Sequence, residues 1–381
     1  MAIPRPLHVG KFVPPPYAGV EAHVDTLLRC LGDSVDATLV AAESPQRSTI
    51  DTVRDLPYRV LTTKSYGKFA SAFLSPAVPK LVRQEFDAAR ANILHVHAPN
   101  PWGDVAALTV KHDVPVVITW HSDIVRQKKL YSIYRHIQRR VLKRADVIIV
   151  PTLAHYESSE QLHQLDISSR IATVPLGIDV GLFDAHLADD ATTRRMDAFA
   201  KGRPLLLTVG RHVAYKGYSY LIDAMKKIET DSVLVMIGTG ILISELKQQA
   251  EQLNLNQRVL FLGEVGHASL VAALHRCDAF CLPSITASEA FGLASAEAMA
   301  CGKPTIVCEL GNGVNFLNRN GETSITVQPR DSGALANAID TMMSNNHLRL
   351  QLGNQARSWV HEQFSLNAMK TKILQIYQSV I

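Results

Sequence analysis

The sequence predicts an α/β protein of two Rossmann-like halves, each a parallel sheet covered by helices on both faces. Three observations lead there. Short apolar, β-branched runs alternate with helical or loop stretches along the chain, the order from which parallel sheets are built. The alternation occurs twice, and a polar stretch at residues 185–201 separates the two series. Glycines stand where strands hand over to helices, at Gly19, Gly210, Gly217 and Gly292, and ligands of such sheets bind at the carboxyl ends of strands.

With 381 residues, 47% hydrophobic and 19% charged, the chain can bury two or three full-sized cores and is not disordered. A net charge of +4 is too small to argue for a nucleic-acid partner. Five cysteines, Cys30, Cys277, Cys281, Cys301 and Cys308, are an odd number without zinc spacing, and several fall in apparent core strands. They read as buried reduced thiols of a cytoplasmic protein. The first residues lead into a strand with no signal-peptide profile, and no apolar run approaches the roughly 18 residues of a membrane span. Membrane contact, if any, is expected to be peripheral.

In the first series, strands are expected at residues 7–13, 38–41, 59–62, 93–96, 116–120, 147–150 and 171–174. After the first strand, residues 14–21 carry Gly19 at the mouth of a helix through Leu27, Leu28 and Leu31. That loop reads as a phosphate-sized anion site or, equally, as a turn needing one glycine. His95 and His97 end one strand, and Thr119-Trp120-His121-Ser122-Asp123 ends another. On general grounds a strand-end histidine is more often structural than functional. Residues 126–144 form a basic stretch with Lys128, Lys129, Arg139 and Arg140, in which Leu130, Ile133, Tyr134, Ile137, Val141 and Leu142 recur near helical spacing. Two readings stand: a solvated helix face, or a cationic surface for lipid headgroups or an acceptor's phosphates. An upstream amphipathic segment, residues 66–76 with Phe69, Phe73 and Leu74, is a candidate apolar partner for that surface.

The second series opens with a strand at 205–209 running into Gly210-Arg211-His212-Val213-Ala214-Tyr215-Lys216-Gly217. Arg211 leaves the strand end and Lys216 sits at a helix start, so two cations are expected to converge on one crevice and to suit a diphosphate leaving group. A strand at 233–237 leads to Gly238-Thr239-Gly240, which is no dinucleotide fingerprint because Ile243 stands where a third glycine is needed. Another, at 259–262, ends at Gly263-Glu264-Val265. The strand at 278–283 delivers residues 288–304. There a turn around Gly292 precedes a short helix at 293–300, Gly302 falls at the left-handed cap and Pro304 lies just beyond. Amides of Phe291, Gly292 and Leu293 then face an anion at the positive helix end, with Glu289 in the turn and Glu297 on the helix flanking it. No Asp-x-Asp triplet occurs, which disfavours a carboxylate-held divalent ion. The last helix, from Ser365, carries one apolar stripe through Met369, Ile373, Ile376, Tyr377 and Val380.

At Glu289, Phe291-Gly292 and Glu297, a Glu, seven residues and a Glu with Phe-Gly just after the first, the chain resembles the retaining family 4 glycosyltransferases of the GT-B fold. The Gly210-Arg211 and Lys216-Gly217 pairs are close to that family's pattern, and the likeness covers essentially the whole chain. It implies two Rossmann-like domains facing across a cleft: residues 1–178, joined by 365–381 as a helix crossing back, and residues 179–364. The resemblance assigns Glu289 to the donor sugar's hydroxyls, the amides of Phe291 to Leu293 to the diphosphate and Glu297 to the ribose. Arg211 and Lys216 go to the leaving group, and His121 to the donor site. Gly19, Gly240 and Val265 fall on the donor side, Val265 where the base sits, and His97 falls on the acceptor side. Ala18-Gly19 departs from the family's two adjacent glycines, and Ser324 stands where glycine is common.

Residues 309–323, rich in glycine and asparagine, look like the subset that builds mannose-containing bacterial O-polysaccharides, or read equally as plain turn chemistry. This implies transfer of mannose from GDP-mannose, with retention by front-face attack, to an undecaprenyl-diphosphate-linked saccharide in lipopolysaccharide or exopolysaccharide synthesis. The donor is a substrate, and neither cofactor nor metal is expected. The place of action would be the cytoplasmic face of the inner membrane, beside other polysaccharide-assembly enzymes. A UDP-sugar-dependent member of the family is the alternative. Remoter ones are a sugar-nucleotide epimerase, which would interconvert sugars without acceptor, and a non-catalytic nucleotide-sugar-binding subunit, against which the complete set His121, Arg211, Lys216, Glu289 and Glu297 argues.

Overall fold

A computed structural model describes residues 3–13, 19–43, 56–69, 72–124 and 128–381, with the side chains of residues 19, 68, 69, 72, 73, 128 and 129 outside the description. The chain divides into two compact units, Met1–Gly177 with Leu366–Ile381, and Ile178–Ser365. Both are α/β, and each is built on one parallel sheet.

In the first unit the strands are β1 (Pro6–Phe12), β2 (Thr38–Ala42), β3 (Arg59–Thr63), β6 (Ile93–Ala98), β7 (Val116–Trp120), β8 (Val147–Val150) and β9 (Ile171–Thr173), with a two-stranded β4 (Lys68–Phe69) and β5 (Ala72–Phe73) beside them. The seven-stranded sheet has the order β3-β2-β1-β6-β7-β8-β9. Its inner strands are unbroken apolar runs because both faces are covered, which removes the alternation of a half-exposed strand. One polar row interrupts this: His8 pairs in register with His95, and His97 with Thr119. Above that row lie helix Gly19–Leu31 and the last helix, Leu366–Val380, whose Met369, Ile373 and Tyr377 are buried in the first unit's core. The last helix thus returns to the unit where the chain began.

The second unit contains β10 (Leu205–Val209), β11 (Val233–Ile237), β12 (Val259–Gly263), β13 (Ala279–Leu282), β14 (Thr305–Cys308) and β15 (Ser324–Val327), in the order β12-β11-β10-β13-β14-β15. In both sheets the winding reverses beside the first strand, at β1/β6 and at β10/β13, and a ligand crevice opens at such a reversal. Strand β15 is absent from the sequence reading; it is short, polar at Ser324 and Thr326, and pairs on one side only.

One expectation is corrected here. The basic stretch is a helix, Lys128–Arg144, but its buried side runs through Tyr134, Gln138, Val141 and Leu142, while Leu130 is 41% and Ile133 74% exposed. The helix packs on helix Pro101–Thr109, and burial concentrates in its C-terminal half, so the apolar residues of its first turns face out. The segment at 66–76 contains the antiparallel pair β4 and β5, with Tyr66 and Leu74 bonding across it; the Phe69 and Phe73 side chains, on which its expected role rests, lie outside the described residues. All five cysteines are free; four are buried, whereas Cys30 is only half-buried and donates to the Leu366 carbonyl at 3.1 Å. Among the described residues no helix is long and apolar enough to cross a membrane.

Where the cationic helix meets helix Pro101–Thr109, the Tyr134 hydroxyl donates to buried Asp104. Burial raises the Asp104 carboxyl from 3.8 to about 7, against the opposing pull of that hydrogen bond. Between those values the folded state keeps a proton that the unfolded chain has lost, so this group makes stability fall as pH rises from about 4 to 7. Asp104→Asn should therefore melt above the parent at pH 8, by at most about 4 kcal/mol for a shift of this size, and the advantage should shrink toward pH 4 in thermal melts across that range.

Candidate functional site

The crevice of the second sheet is assembled by glycines that let backbones touch. Gly217 follows the turn Ala214–Lys216 at φ +68°, and a Cβ there would stand 2.1 Å from the Pro283 carbonyl oxygen, just beyond β13. A Cβ on Gly238 would meet the Gly210 oxygen at 2.1 Å, and one on Gly240 the His212 oxygen at 2.5 Å. The segments leaving β10, β11 and β13 are thereby drawn together, and Gly240 has its place as a packing residue of that junction.

Lys216 is delivered here with its Nζ 2.5 Å from Glu289 Oε2, both side chains about nine-tenths buried. Ser284 Oγ donates to the same Oε2 at 3.0 Å, so both contacts fall on one carboxylate oxygen. Lys216, expected beside Arg211 at one crevice, is paired here with Glu289. Arg211 is exposed and joins no ion pair among the described residues. The physical reason is adjacency of β10 and β13, which brings a carboxylate loop over the turn after β10.

Glu297, on helix Leu293–Ala300, has its carboxyl raised to about 7 by burial, with the Lys216 cation pulling the other way. The helix begins at Gly292, φ +79°, and no side chain caps it. Leu293 is 46% exposed, so the positive helix end opens outward, while Phe291 is buried and tilts against Phe364 at 5.7 Å. Uncapped amides beside a buried lysine suit an anion.

Three asparagines that read as turn chemistry carry this arrangement. Asn312 Nδ2 donates to the Glu289 carbonyl at 2.8 Å, Asn315 Oδ1 accepts from the Leu310 and Gly311 amides, and Asn318 Nδ2 donates to Ser295 Oγ at 3.0 Å. Their spacing of three residues was the available signal, since it places them along helix Gly313–Leu317 and its flanks. Val265 follows β12, two strands from β10, and packs on the core of its own unit.

In the first unit His97 ends β6 and His121 follows β7, with Nδ1 and Nε2 3.2 Å apart. They belong to a longer chain that sequence reading did not connect. His97 reaches His8 at 3.0 Å, His8 reaches the Tyr377 hydroxyl at 3.0 Å, Tyr377 reaches His95 at 2.7 Å, and His95 reaches Thr119 at 2.7 Å. His23 stands edge-on to His97 and His121. The signal was the alternation His95-x-His97, which puts both rings on one sheet face. Burial lowers His8 to about 3 and His23 to about 4, and holds His95, His97 and His121 well below the usual value, so the cluster is uncharged.

Gly19 is the first residue of helix Gly19–Leu31; residues 14–18 before it, and the Lys128 and Lys129 side chains, lie outside the described residues. Arg139 donates to Gln164 at 2.7 Å, and Arg140 is exposed.

Because Gly217 combines a left-handed φ with backbone contact, Gly217→Ala should destabilise the second unit by about 2 kcal/mol or more and displace Lys216. Thermal melting by circular dichroism checks this; an unchanged melting temperature would contradict the geometry.

Two family models match the chain, one described as Glycosyl transferases group 1 over residues 189–359 and one as Glycosyltransferase Family 4 over residues 17–182. The chain is 28% identical over 378 residues to the O-antigen chain mannosyltransferase C of Escherichia coli, covering 99% of each. To the D-rhamnosyltransferase WbpZ of Pseudomonas aeruginosa it is 32% identical over 300 residues, 78% of this chain and 76% of that protein. Among solved structures, the Anabaena protein HepE in complex with UDP superposes with a TM-score of 0.76 at 19% identity over 98% of this chain and all of that one. A glycosyltransferase from Rickettsia africae gives 0.75 at 19% identity, over 99% and 98%. With two parallel-sheet Rossmann-like units, family models over both of them and a relative above 30% identity, the chain belongs to the family 4 glycosyltransferases of the GT-B fold.

Proposed function

We propose that this glycosyltransferase moves a hexose, mannose from GDP-mannose in the first instance, with retention of configuration, to a lipid-linked saccharide in O-polysaccharide synthesis. The observation that carries the reading is the uncapped N-terminus of helix Leu293–Ala300 beside the buried Lys216–Glu289 pair, at the winding reversal of the second sheet. A diphosphate accepts hydrogen bonds from the helix amides, and Lys216 meets the charge that grows on it as the sugar departs. Glu289 uses Oε2 for Lys216 and Ser284, which leaves Oε1 for a sugar hydroxyl. Glu297 accepts from the ribose. In this reading Glu289 and Glu297 are engaged with the sugar and ribose hydroxyls and neither serves as a nucleophile, which favours front-face attack by the acceptor. Similarity to the mannosyltransferase of Escherichia coli supports mannose; UDP in the related Anabaena structure keeps a UDP-sugar as the competing donor. Turnover of a nucleotide-sugar panel with undecaprenyl-diphosphate-linked acceptors tests the reading, and transfer from UDP-sugars alone would overturn the donor assignment.

Three outcomes follow from these roles. Lys216→Ala should lower kcat by about 100-fold or more, whereas Glu297→Ala should chiefly raise the donor KM, because ribose is held alike in ground and transition states. With Glu297 near 7, donor affinity should weaken as pH falls through that value and the carboxylate becomes protonated; steady-state kinetics between pH 5.5 and 8.5 would show it. Since Lys216 and helix amides supply the positive charge, activity should survive chelation by EDTA.

The acceptor's lipid places the enzyme at a membrane surface. Supporting this, Leu130 and Ile133 face out beside exposed Arg135 and Arg140 on helix Lys128–Arg144. Each cation near an anionic surface contributes about 1 kcal/mol, so attachment should be weak and salt-sensitive. Sedimentation with anionic vesicles should fall with added salt and fall further in Ile133→Ser and Arg140→Gln, while donor KM stays unchanged.

A further inference from the structure

Five clustered histidines of the first unit fall into an inner and an outer group, and ring nitrogens without a hydrogen-bond partner among the described residues occur only in the outer one, on His23 and His121. In the inner group every nitrogen of His8 and His95 is already in a hydrogen bond, and the rings are fully buried. The outer group is His23, His97 and His121, each of which offers one ring nitrogen to a set lying within 4.8 Å of one another. His23 and His121 are half-buried, and His23 has no hydrogen-bond partner among the described residues. We propose that His23, His97 and His121 form a three-histidine site for a borderline transition-metal ion, Zn²⁺ in the first instance, and that filling it withdraws His121 from turnover.

Geometry and ligand chemistry both support the site. His97 Nδ1 and His121 Nε2 are 3.2 Å apart. The edge of a tetrahedron with metal–nitrogen bonds of 2.0–2.1 Å is about 3.3 Å, so this pair needs ring rotation more than translation to share an ion. His23 meets His121 at 72° with ring centres 5.2 Å apart, and meets His97 at 69°, so it approaches both edge-on. His97 is the fixed member. Its Nε2 lies 3.0 Å from His8 Nδ1, at the head of the chain through Tyr377 and His95 to Thr119. When the protons of that chain point toward Thr119, His97 Nε2 donates and Nδ1 keeps a bare lone pair, the second-sphere support that ligating imidazoles use.

Binding exchanges the His97–His121 hydrogen bond for metal–nitrogen bonds, moves one proton of neutral His121 from Nε2 to Nδ1, and leaves water to complete the coordination. Three nitrogen ligands without a carboxylate select Zn²⁺, Ni²⁺, Cu²⁺ or Co²⁺ over Mg²⁺ and Ca²⁺. The site itself does not rest on the proposed transfer reaction; its effect on turnover does, through the likeness of His121 to a donor-site histidine.

The test is a Co²⁺ titration of EDTA-treated, tag-free protein, read by visible absorption, followed by displacement with Zn²⁺. One equivalent with the strong d–d bands of a four- or five-coordinate nitrogen site is expected in the parent, with none in His23→Gln or His121→Gln. Tyr377→Phe, which breaks the supporting chain, should weaken binding about 10- to 100-fold. Metal-free circular dichroism shows that each variant compared is folded, and a Zn²⁺-dependent rise in Tm confined to the parent gives a second readout. Only the weak spectrum of octahedral Co²⁺ in the parent, or an unchanged titration in folded His23→Gln, would overturn the site. Zn²⁺ should inhibit transfer over the range in which it displaces Co²⁺. If it binds without inhibiting, the site stands and the role of His121 in turnover is overturned.

Discussion

The second unit depends on a charge pair withdrawn from water. Lys216 and Glu289 are each about nine-tenths buried, and a buried charge that loses its partner costs about 3–5 kcal/mol, so neither residue can be placed without the other. Their meeting requires the turn after β10 to lie against the backbone leaving β13, which a side chain at Gly217 would prevent. Asn312 then fixes the Glu289 backbone, and Asn318 fixes Ser295 on the helix whose open end faces outward. Packing and charge pairing are one constraint here. The glycines that permit close approach also leave the lysine beside helix amides that no side chain caps.

The first unit is organised by a different device, a polar row inside an apolar sheet face. Buried imidazoles must find partners, and here they find one another, in a chain running from His121 through His97, His8, Tyr377 and His95 to Thr119. Each interior imidazole has one proton to give and one lone pair to receive with, while the Tyr377 hydroxyl has one proton and two lone pairs, so it either passes a single direction along the chain or accepts from both His8 and His95. Tyr377 stands in the middle of that sequence, which ties the last helix to the sheet by polar bonds as well as by the burial of Met369 and Ile373. The arrangement keeps four histidines neutral in a place where isolated cations would be expelled.

Outside these cores the Lys128–Arg144 helix shows how burial sorts a repeating pattern. Its apolar residues recur at helical spacing throughout, yet only the turns that meet helix Pro101–Thr109 bury them, and Asp104 with Tyr134 marks the contact. Leu130 and Ile133 are left facing solvent beside arginines, a surface that periodicity alone assigns to the core.

Much of this was legible in the sequence for local reasons. Strand runs such as Val147–Val150 and Leu205–Val209, and helix Leu293–Ala300 with left-handed glycines at 292 and 302, follow from side-chain shape, backbone freedom and capping, which act over a few residues. So did the carboxylate motif and its family, because Glu289, Phe291, Gly292 and Glu297 lie within one short stretch. Tertiary structure alone decided the partners. It paired Lys216 with Glu289, joined His8, His23 and Tyr377 to His97 and His121, and turned Ile133 outward. Those outcomes depend on strand order and on which helix covers which face, and the free energies that set them come from contacts between residues far apart in the chain, where no local pattern reaches.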